Sequence, residues 1–385
     1  MSKKKVCVVI TARPSYARIK TALQAIKDHD ELELLLVLAG SSLLERYGNA
    51  AKIIENDGFD VVEKIYNIIE GEAPTAMAKT TGIAILELAT AFFNLKPDIV
   101  VTVADRFETL ATSIAASYQN IPLAHIQGGE VTGNIDEKVR HANTKLADIH
   151  LVASEDAARR VYKMGEEEHS IINTGCPSMD LAREVLENPK LDFNPLKKYG
   201  GVGSQISWEN GYIVVMQHPV TTEKKNSRDQ IIQTLQAIES LNIPTFWFWP
   251  NVDAGSDDLS SGIRGYRETR ELSNVHFFKN MEPKDFLRLI KNSKCLIGNS
   301  SVGIRESAFL GIPVVNIGSR QHGRQRAKSV IDCDYSQNEI ENAINTHLNN
   351  GNYESEFIYG EGFAGEAIAN ALANFDLKFH KTITY

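Results

Sequence analysis

The chain predicts an α/β protein built of two doubly wound halves, and three observations carry that prediction. Apolar runs rich in Val, Ile and Leu alternate with amphipathic stretches. The alternation restarts after a segment rich in Pro, Asn, Gly and Lys. Unusual polar clusters stand where the apolar runs end.

In the first half the runs are KVCVVITA, LELLLVLAGS, DIVVTVAD, PLAHIQG and IHLVAS, with the amphipathic YARIKTALQAIKDH after the first. Continuous apolar runs between helices are what a parallel sheet covered on both faces requires. The segment ENPKLDFNPLKKYGGVGSQISWENG, over 187–211, reads as a linker. Beyond it YIVVMQHP, DQIIQTLQAIESL, PTFWFWPN, KCLIGNSS, ESAFLG and PVVNIG read as strand, helix, strand, strand, helix and strand. The expected domains are therefore 1–190 and 205–363.

Composition narrows the function classes. A chain of 385 residues is long enough for two cores. A net charge of -8, with no basic stripe beyond Lys3, Lys4 and Lys5, speaks against nucleic-acid and membrane-surface partners. Cys7, Cys176, Cys295 and Cys333 show no paired or metal-ligand spacing, so they read as reduced thiols of a cytoplasmic protein. No uninterrupted apolar run reaches the roughly 18 residues of a membrane span, so the expectation is a soluble protein.

In doubly wound sheets ligands bind beyond the carboxyl ends of the strands, and two such domains suggest a cleft between them. TARPSY offers Arg13 and Ser15 on a turn into a helix, where Arg13 can meet a phosphate or lie over the sheet edge. VADRFETLA places Asp105 and Arg106 at a strand end, and Asp105 reads equally as a helix N-cap. HIQGGEVTGNIDEKVRHANTK gathers His125, Gln127, Glu130, Asp136 and Glu137 around two glycines that let backbone approach a ligand. In the second half, His218 stands before Pro219 at a strand mouth, and Asn251, Asp253 and Ser256 follow the next strand. GNSSVGIRE supplies Ser300, Ser301 and helical N–H groups as an expected phosphate cradle, with Glu306 placed for vicinal hydroxyls. Neither a GxGxxG nor a GxxxxGK[ST] loop is present, so dinucleotide and ATP binding lose weight.

Taken together, TARPSY, ADRFETL, HIQGGEVTG with DEKVRHA, QHPVTTE, PNVDAGS, GNSSVGIRE and NIGSRQHGR resemble the hydrolysing UDP-N-acetylglucosamine 2-epimerases of sialic-acid-type and legionaminic-acid-type sugar biosynthesis. The resemblance runs in order over nearly the whole chain. It implies a GT-B-like fold of two Rossmann-like domains with an inter-domain cleft, a C-terminal helix within 364–385 packed on the first domain, and a homodimer or homotetramer. It further implies that UDP-GlcNAc and water give ManNAc and UDP, by elimination of UDP to a 2-acetamidoglucal and then hydration. No metal and no cofactor are implied.

By the same matching, Arg13, His218, Ser300, Ser301, Glu306 and Arg320 hold the UDP part, while Asn251 and Asp253 line the cleft. Asp105, Glu130, Asp136 and Glu137 are the candidate acid/base carboxylates. His125 is expected to orient one of them or to assist proton transfer, His218 to contact and protonate the diphosphate, and Arg106 to touch substrate or hold a neighbouring carboxylate. Gln127 departs from the pattern, because better-known relatives carry Glu there and an amide cannot accept a proton. Either the base lies elsewhere or the sugar differs, the second option pointing to UDP-2,4-diacetamido-2,4,6-trideoxyglucose. A GT-B glycosyltransferase is the alternative from another class.

Overall fold

The computed structural model describes residues 3–45, 50–70, 74–131, 135–220, 223, 226–250, 256–376 and 381–384. The chain divides into two compact units, Met1–Asp180 with Tyr359–Tyr385, and Leu181–Ile358.

The first unit runs β1 (Lys4–Ile10), α1 (Arg13–Asp28), β2 (Leu32–Ala39), α2 (Ala50–Asn56), β3 (Val61–Ile65), α3 (Pro74–Leu95), β4 (Ile99–Val103), α4 (Thr109–Tyr118), β5 (Leu123–Ile126), α5 (Ile135–Leu146), β6 (Ile149–Val152), α6 (Glu155–Lys163), β7 (Ile171–Asn173) and the start of α7 (Ser178–Glu187). Its strands pair in parallel in the order β3-β2-β1-β4-β5-β6-β7. Alternation along β1 shows why its run is continuously apolar. Val6, Val8 and Ile10 join a core with Tyr16, Ile19 and Leu23 of α1, whereas Cys7 and Val9 join one with Leu88 and Phe92 of α3.

The second unit continues with α8 (Pro195–Tyr199), β8 (Val202–Gly203), β9 (Ile213–Met216), α9 (Ser227–Leu241), β10 (Thr245–Phe248), α10 (Ser256–Thr269), β11 (Val275–Phe278), α11 (Pro283–Lys291), β12 (Leu296–Gly298), α12 (Glu306–Leu310), β13 (Val314–Ile317), β14 (Val330–Cys333) and α13 (Gln337–Asn350). Its order β14-β13-β12-β9-β10-β11-β8 repeats the doubly wound arrangement, with β8 added antiparallel at one edge. Both units are therefore Rossmann-like, in the GT-B-like α/β class.

The crossing from one unit to the other falls at 180/181, within α7. That is ahead of the 187–211 stretch read as linker, which carries α8 and β8 and belongs to the second unit. His276 holds it there by its ring nitrogens, at 2.8 Å from the Gly200 carbonyl and 3.0 Å from that of Ser204. The return at Tyr359 brings α14 (Ala364–Asn374) onto α1. The helix is shorter than the 364–385 span. Asp180 accepts from the Ala364 and Gly365 N–H groups, both at 2.8 Å, and so satisfies two open donors of its first turn. Residues 381–384 lie on the same unit, where Lys381 donates to the Ala147 carbonyl at the end of α5 and pairs with Glu166 at 2.6 Å.

Thr75–Leu95 of α3 is long and apolar enough to span a membrane by length and composition, with mean hydropathy 1.3. Lys79, Glu87 and several Thr residues interrupt its apolar run. The helix buries Ala84, Leu88, Ala91 and Phe92 against the sheet and α4, as a crossover helix of this fold must.

Candidate functional site

In each sheet the order reverses beside its first strand, between β1 and β4 and between β9 and β12. Loops leaving the carboxyl ends of those strands form the crevice at which doubly wound sheets bind ligands. Most of the residues singled out in the sequence stand on these loops or on their immediate neighbours.

In the first unit, Arg140 of α5 organises the cluster. It is 2% exposed and forms a short charge-assisted pair with Asp105 after β4. Its Nη1 lies 3.5 Å from Glu130 Oε2 and donates to the Gln127 carbonyl at 3.1 Å. One buried cation thus joins two carboxylates and the end of β5. Asp105 is consequently not the N-cap of α4, a position held by Glu108. Asp136 opens α5 one turn ahead of Arg140. Glu137 pairs with His141 at 3.4 Å, one turn along the same helix. Arg106 forks onto the buried Glu108 at 3.2 and 3.3 Å, the carboxylate-holding option among its two expected roles.

His125 meets no carboxylate directly among the described residues. Its Nε2 lies 2.8 Å from the Ala104 carbonyl and its Nδ1 3.1 Å from Thr144 Oγ1, so the ring meets a backbone group and a hydroxyl and no carboxylate. Burial lowers its pKa to about 4, keeping it neutral at neutral pH. Ala104 and Gln127 both adopt left-handed backbone, with φ of 60° and 64°, at the ends of adjacent strands. Non-glycine residues persist there only when their surroundings hold them, and such strain gathers at functional sites. His125 therefore pins the Ala104 turn beside Asp105.

The two glycines also serve packing, where an approach to a ligand was expected. A β-carbon at Gly128 would stand 2.9 Å from Thr144 Oγ1 and 3.0 Å from His125 Nδ1, and one at Gly129, with φ of 74°, would stand 2.4 Å from the Ala157 carbonyl of α6. Gln127 is fully buried. Its Oε1 accepts from Arg18 of α1 at 3.1 Å and its amide donates to Cys176 Sγ at 2.9 Å. Arg18, Cys176 and Arg140 carry little local signal, because Arg18 and Cys176 meet Gln127 from 109 and 49 positions away and Arg140 meets Asp105 from 35. The DEKVRHA motif was the one available signal for Arg140.

In the second unit, Asn299 ties the two switch-point loops together. Its side chain accepts from the His218 N–H at 2.7 Å and donates to the His218 carbonyl at 2.9 Å. The approach requires Gly298, with φ of 132°, because a β-carbon there would lie 2.1 Å from the Met216 carbonyl. The Asn299 carbonyl in turn accepts from Arg320 at 3.0 Å and Gln321 at 2.8 Å. Burial, and then the charge of Arg320, lowers the His218 pKa to about 3.

The expected cradle of helical N–H groups is changed by a 3-10 turn over Ser301–Gly303 ahead of the five-residue α12. Ser300 Oγ accepts from Val302 N at 3.4 Å, its carbonyl from Gly303 N at 3.0 Å, and the Ser301 carbonyl from Ile304 N and Arg305 N at 3.1 and 3.0 Å. The tight turn uses these donors itself. Glu306 keeps one buried carboxylate oxygen, Oε2, with no hydrogen-bond partner among the described residues. Arg13 is half-buried at the start of α1. Asn251 and Asp253 lie outside the described residues.

Comparison with known proteins matches the chain to one family. Residues 24–373 match the model of the UDP-N-acetylglucosamine 2-epimerase family. The chain is 31% identical over 363 residues to a UDP-N,N'-diacetylbacillosamine 2-epimerase (hydrolyzing) of Legionella pneumophila, covering 94% of each chain. It is also 31% identical over 360 residues to a UDP-N-acetylglucosamine 2-epimerase of Neisseria meningitidis, covering 93% of this chain and 91% of that one. In fold it is similar to the crystal structure of UDP-GlcNAc 2-epimerase from Neisseria meningitidis bound to UDP-GlcNAc, with a TM-score of 0.78 at 19% identity over 96% of this chain and 99% of that one. With a family match over most of its length and relatives above 30% identity across nine-tenths of it, the chain belongs to the UDP-N-acetylglucosamine 2-epimerase family of enzymes.

Proposed function

We propose that this enzyme is a hydrolysing 2-epimerase that converts UDP-GlcNAc and water to ManNAc and UDP. The observation that carries the reading is Arg140 holding Asp105 and Glu130 together at the ends of β4 and β5. The first unit does the sugar chemistry and the second binds the nucleotide. His218, Arg320, Ser300 and Ser301 take the diphosphate, Arg13 supplies a further cation, and Glu306 accepts bonds from the ribose hydroxyls. Cationic and N–H or O–H partners there stabilise the charge that grows on UDP as the C1–O bond breaks.

A carboxylate among Asp105, Glu130 and Asp136 takes the C2 proton while the C1–O electron pair leaves with UDP, giving a 2-acetamidoglucal. Water then adds across the C1=C2 bond, hydroxyl to C1 and proton to C2 from the opposite face. Gln127 takes no proton, because an amide cannot serve as a base, and its side chain is bonded to Arg18 and Cys176. Similarity to the Legionella relative favours UDP-2,4-diacetamido-2,4,6-trideoxyglucose as the second candidate substrate.

The test is to incubate purified protein with each UDP-sugar in D2O. The expected result is UDP release with one deuterium at C2 of a free 2-epimerised sugar. A folded protein that releases UDP from neither sugar would overturn the reading, and the ratio of the two rates assigns the substrate.

A further inference from the structure

The last described residues, 381–384, hold the helix that carries Arg140. Lys381 donates to the carbonyls of Thr144, at 3.2 Å, and of Ala147, where the last turn of α5 leaves its acceptors open. The same ammonium lies 2.6 Å from Glu166, a carboxylate 2% exposed that also meets Lys145 of α5 at 2.6 Å and His150 of β6 at 2.9 Å. Burial would raise the Glu166 carboxyl, but His150, Lys145 and Lys381 outweigh it and keep the group charged. Beyond Lys381, Thr382 donates to Glu167 at 3.1 Å. Thr384 gives its N–H to the Gly165 carbonyl at 3.3 Å and its hydroxyl to the Glu166 carbonyl at 3.4 Å. The segment thus straps the end of α5 to the loop ahead of β7.

From Thr144 the linkage continues to the candidate site. Its hydroxyl donates to the Arg140 carbonyl, one turn earlier, at 3.0 Å and lies 3.1 Å from His125 Nδ1, whose ring reaches the Ala104 carbonyl beside Asp105. We propose that Lys381 is a positioning residue for the reaction: it fixes α5, and through α5 the guanidinium that joins Asp105 to Glu130. Its bonds go to the end of that helix and to Glu166, so its effect passes through the helix. Displacing a catalytic group by about 1 Å can cost about a hundredfold in rate, so a loosened α5 slows the proton transfer. Nucleotide binding is little affected, because most of the proposed contacts, His218, Ser300, Ser301 and Arg320, stand in the second unit.

The role of Lys381 rests on the hydrolysing-epimerase reading for its kinetic test, and a second measurement is independent of it. Lys381→Met should lower kcat for the preferred UDP-sugar about tenfold or more, with KM within about twofold of wild type. Lys381→Arg, which keeps the cation and its donors, should restore most of the loss. Asp180→Ala, a destabilising change at α14 of the same unit, should leave kcat unchanged at a temperature where both variants are folded. Amide hydrogen exchange should quicken along residues 138–146 in Lys381→Met and not in Asp180→Ala. A wild-type kcat in Lys381→Met, an equal fall in Asp180→Ala, or a fall that Lys381→Arg does not reverse would each overturn the proposal. If Lys381→Met does not fold, Lys381→Gln is read by the same criteria. A wild type that turns over neither UDP-sugar defeats the functional reading alone. Exchange in α5 then decides the strap, and equal rates in wild type and Lys381→Met would overturn it.

Discussion

Arg140 and Asp105, 35 positions apart, form a charge-assisted pair in which the arginine is almost fully enclosed. The same guanidinium faces Glu130, so its loss would leave two carboxylates without their shared cation. Breaking a buried pair from one side costs about 3–5 kcal/mol. Arg140→Ala should therefore destabilise the protein by that order and abolish turnover. Asp105→Asn should keep the fold and lower turnover by about a hundredfold or more. Urea denaturation and a coupled UDP-release assay measure both, and near-normal rates in Asp105→Asn would remove Asp105 from the chemistry.

His218 and Asn299 bind one another's loops, so the proposed nucleotide side can be probed without sugar chemistry. Asn299→Ala leaves the His218 N–H and carbonyl without their partners. Each buried group so exposed costs about 1–3 kcal/mol. UDP affinity should fall by about tenfold or more by isothermal titration, and unchanged binding would show that the bridge does not order the loop.

Acidification should weaken the fold through its histidines. His125 and His218 have folded pKa values near 4 and 3, below the ordinary 6.5, chiefly because burial penalises the charged ring. The unfolded chain then binds protons that the folded one refuses, so stability is complete above about pH 6.5 and declines as pH falls below it. By pH 5 each histidine should cost about 2 kcal/mol. Urea midpoints at pH 7, 6 and 5 should drop steadily; a flat profile would contradict the burial of neutral rings.

Gln127→Glu should be tolerated, because the new carboxylate faces Arg18 at the distance the amide oxygen now has, 3.1 Å. The sugar preference should stay the same. Gln127→Leu removes the acceptor and should destabilise by about 1–3 kcal/mol. A switch of sugar preference in Gln127→Glu would show instead that this side chain reads the substrate.

The return of the chain rests on two contacts that can be broken separately. Asp180→Ala removes the acceptor for the first N–H groups of α14 and should cost about 1–2 kcal/mol. Gly365→Val should cost more, since a β-carbon there would stand 2.8 Å from the Thr21 backbone of α1. Thermal unfolding ranks the two, and equal midpoints would mean that α14 tolerates displacement from α1.

Sequence by itself determined the doubly wound class and the loops that matter. Both are local consequences of chain chemistry: continuous Val/Ile/Leu runs can be buried on both faces only between helices, and ligands of such sheets meet the loops after the strands. Asp105, Glu130, His218 and the GNSS turn are legible for that reason. Short or partly polar strands such as β3, β7, β11 and β14 carry too weak a pattern to be read. Tertiary structure alone decided what each polar group does. It buried His125 between the Ala104 carbonyl and Thr144, gave Asp105 and Glu130 one arginine, packed Gly128 and Gly129 against Thr144 and Ala157, and tied Gln127 to Arg18 and Cys176. Each of these is a pairing between distant segments, set by which strands lie side by side and how closely helices approach them. Spacing along the chain carries no record of that choice.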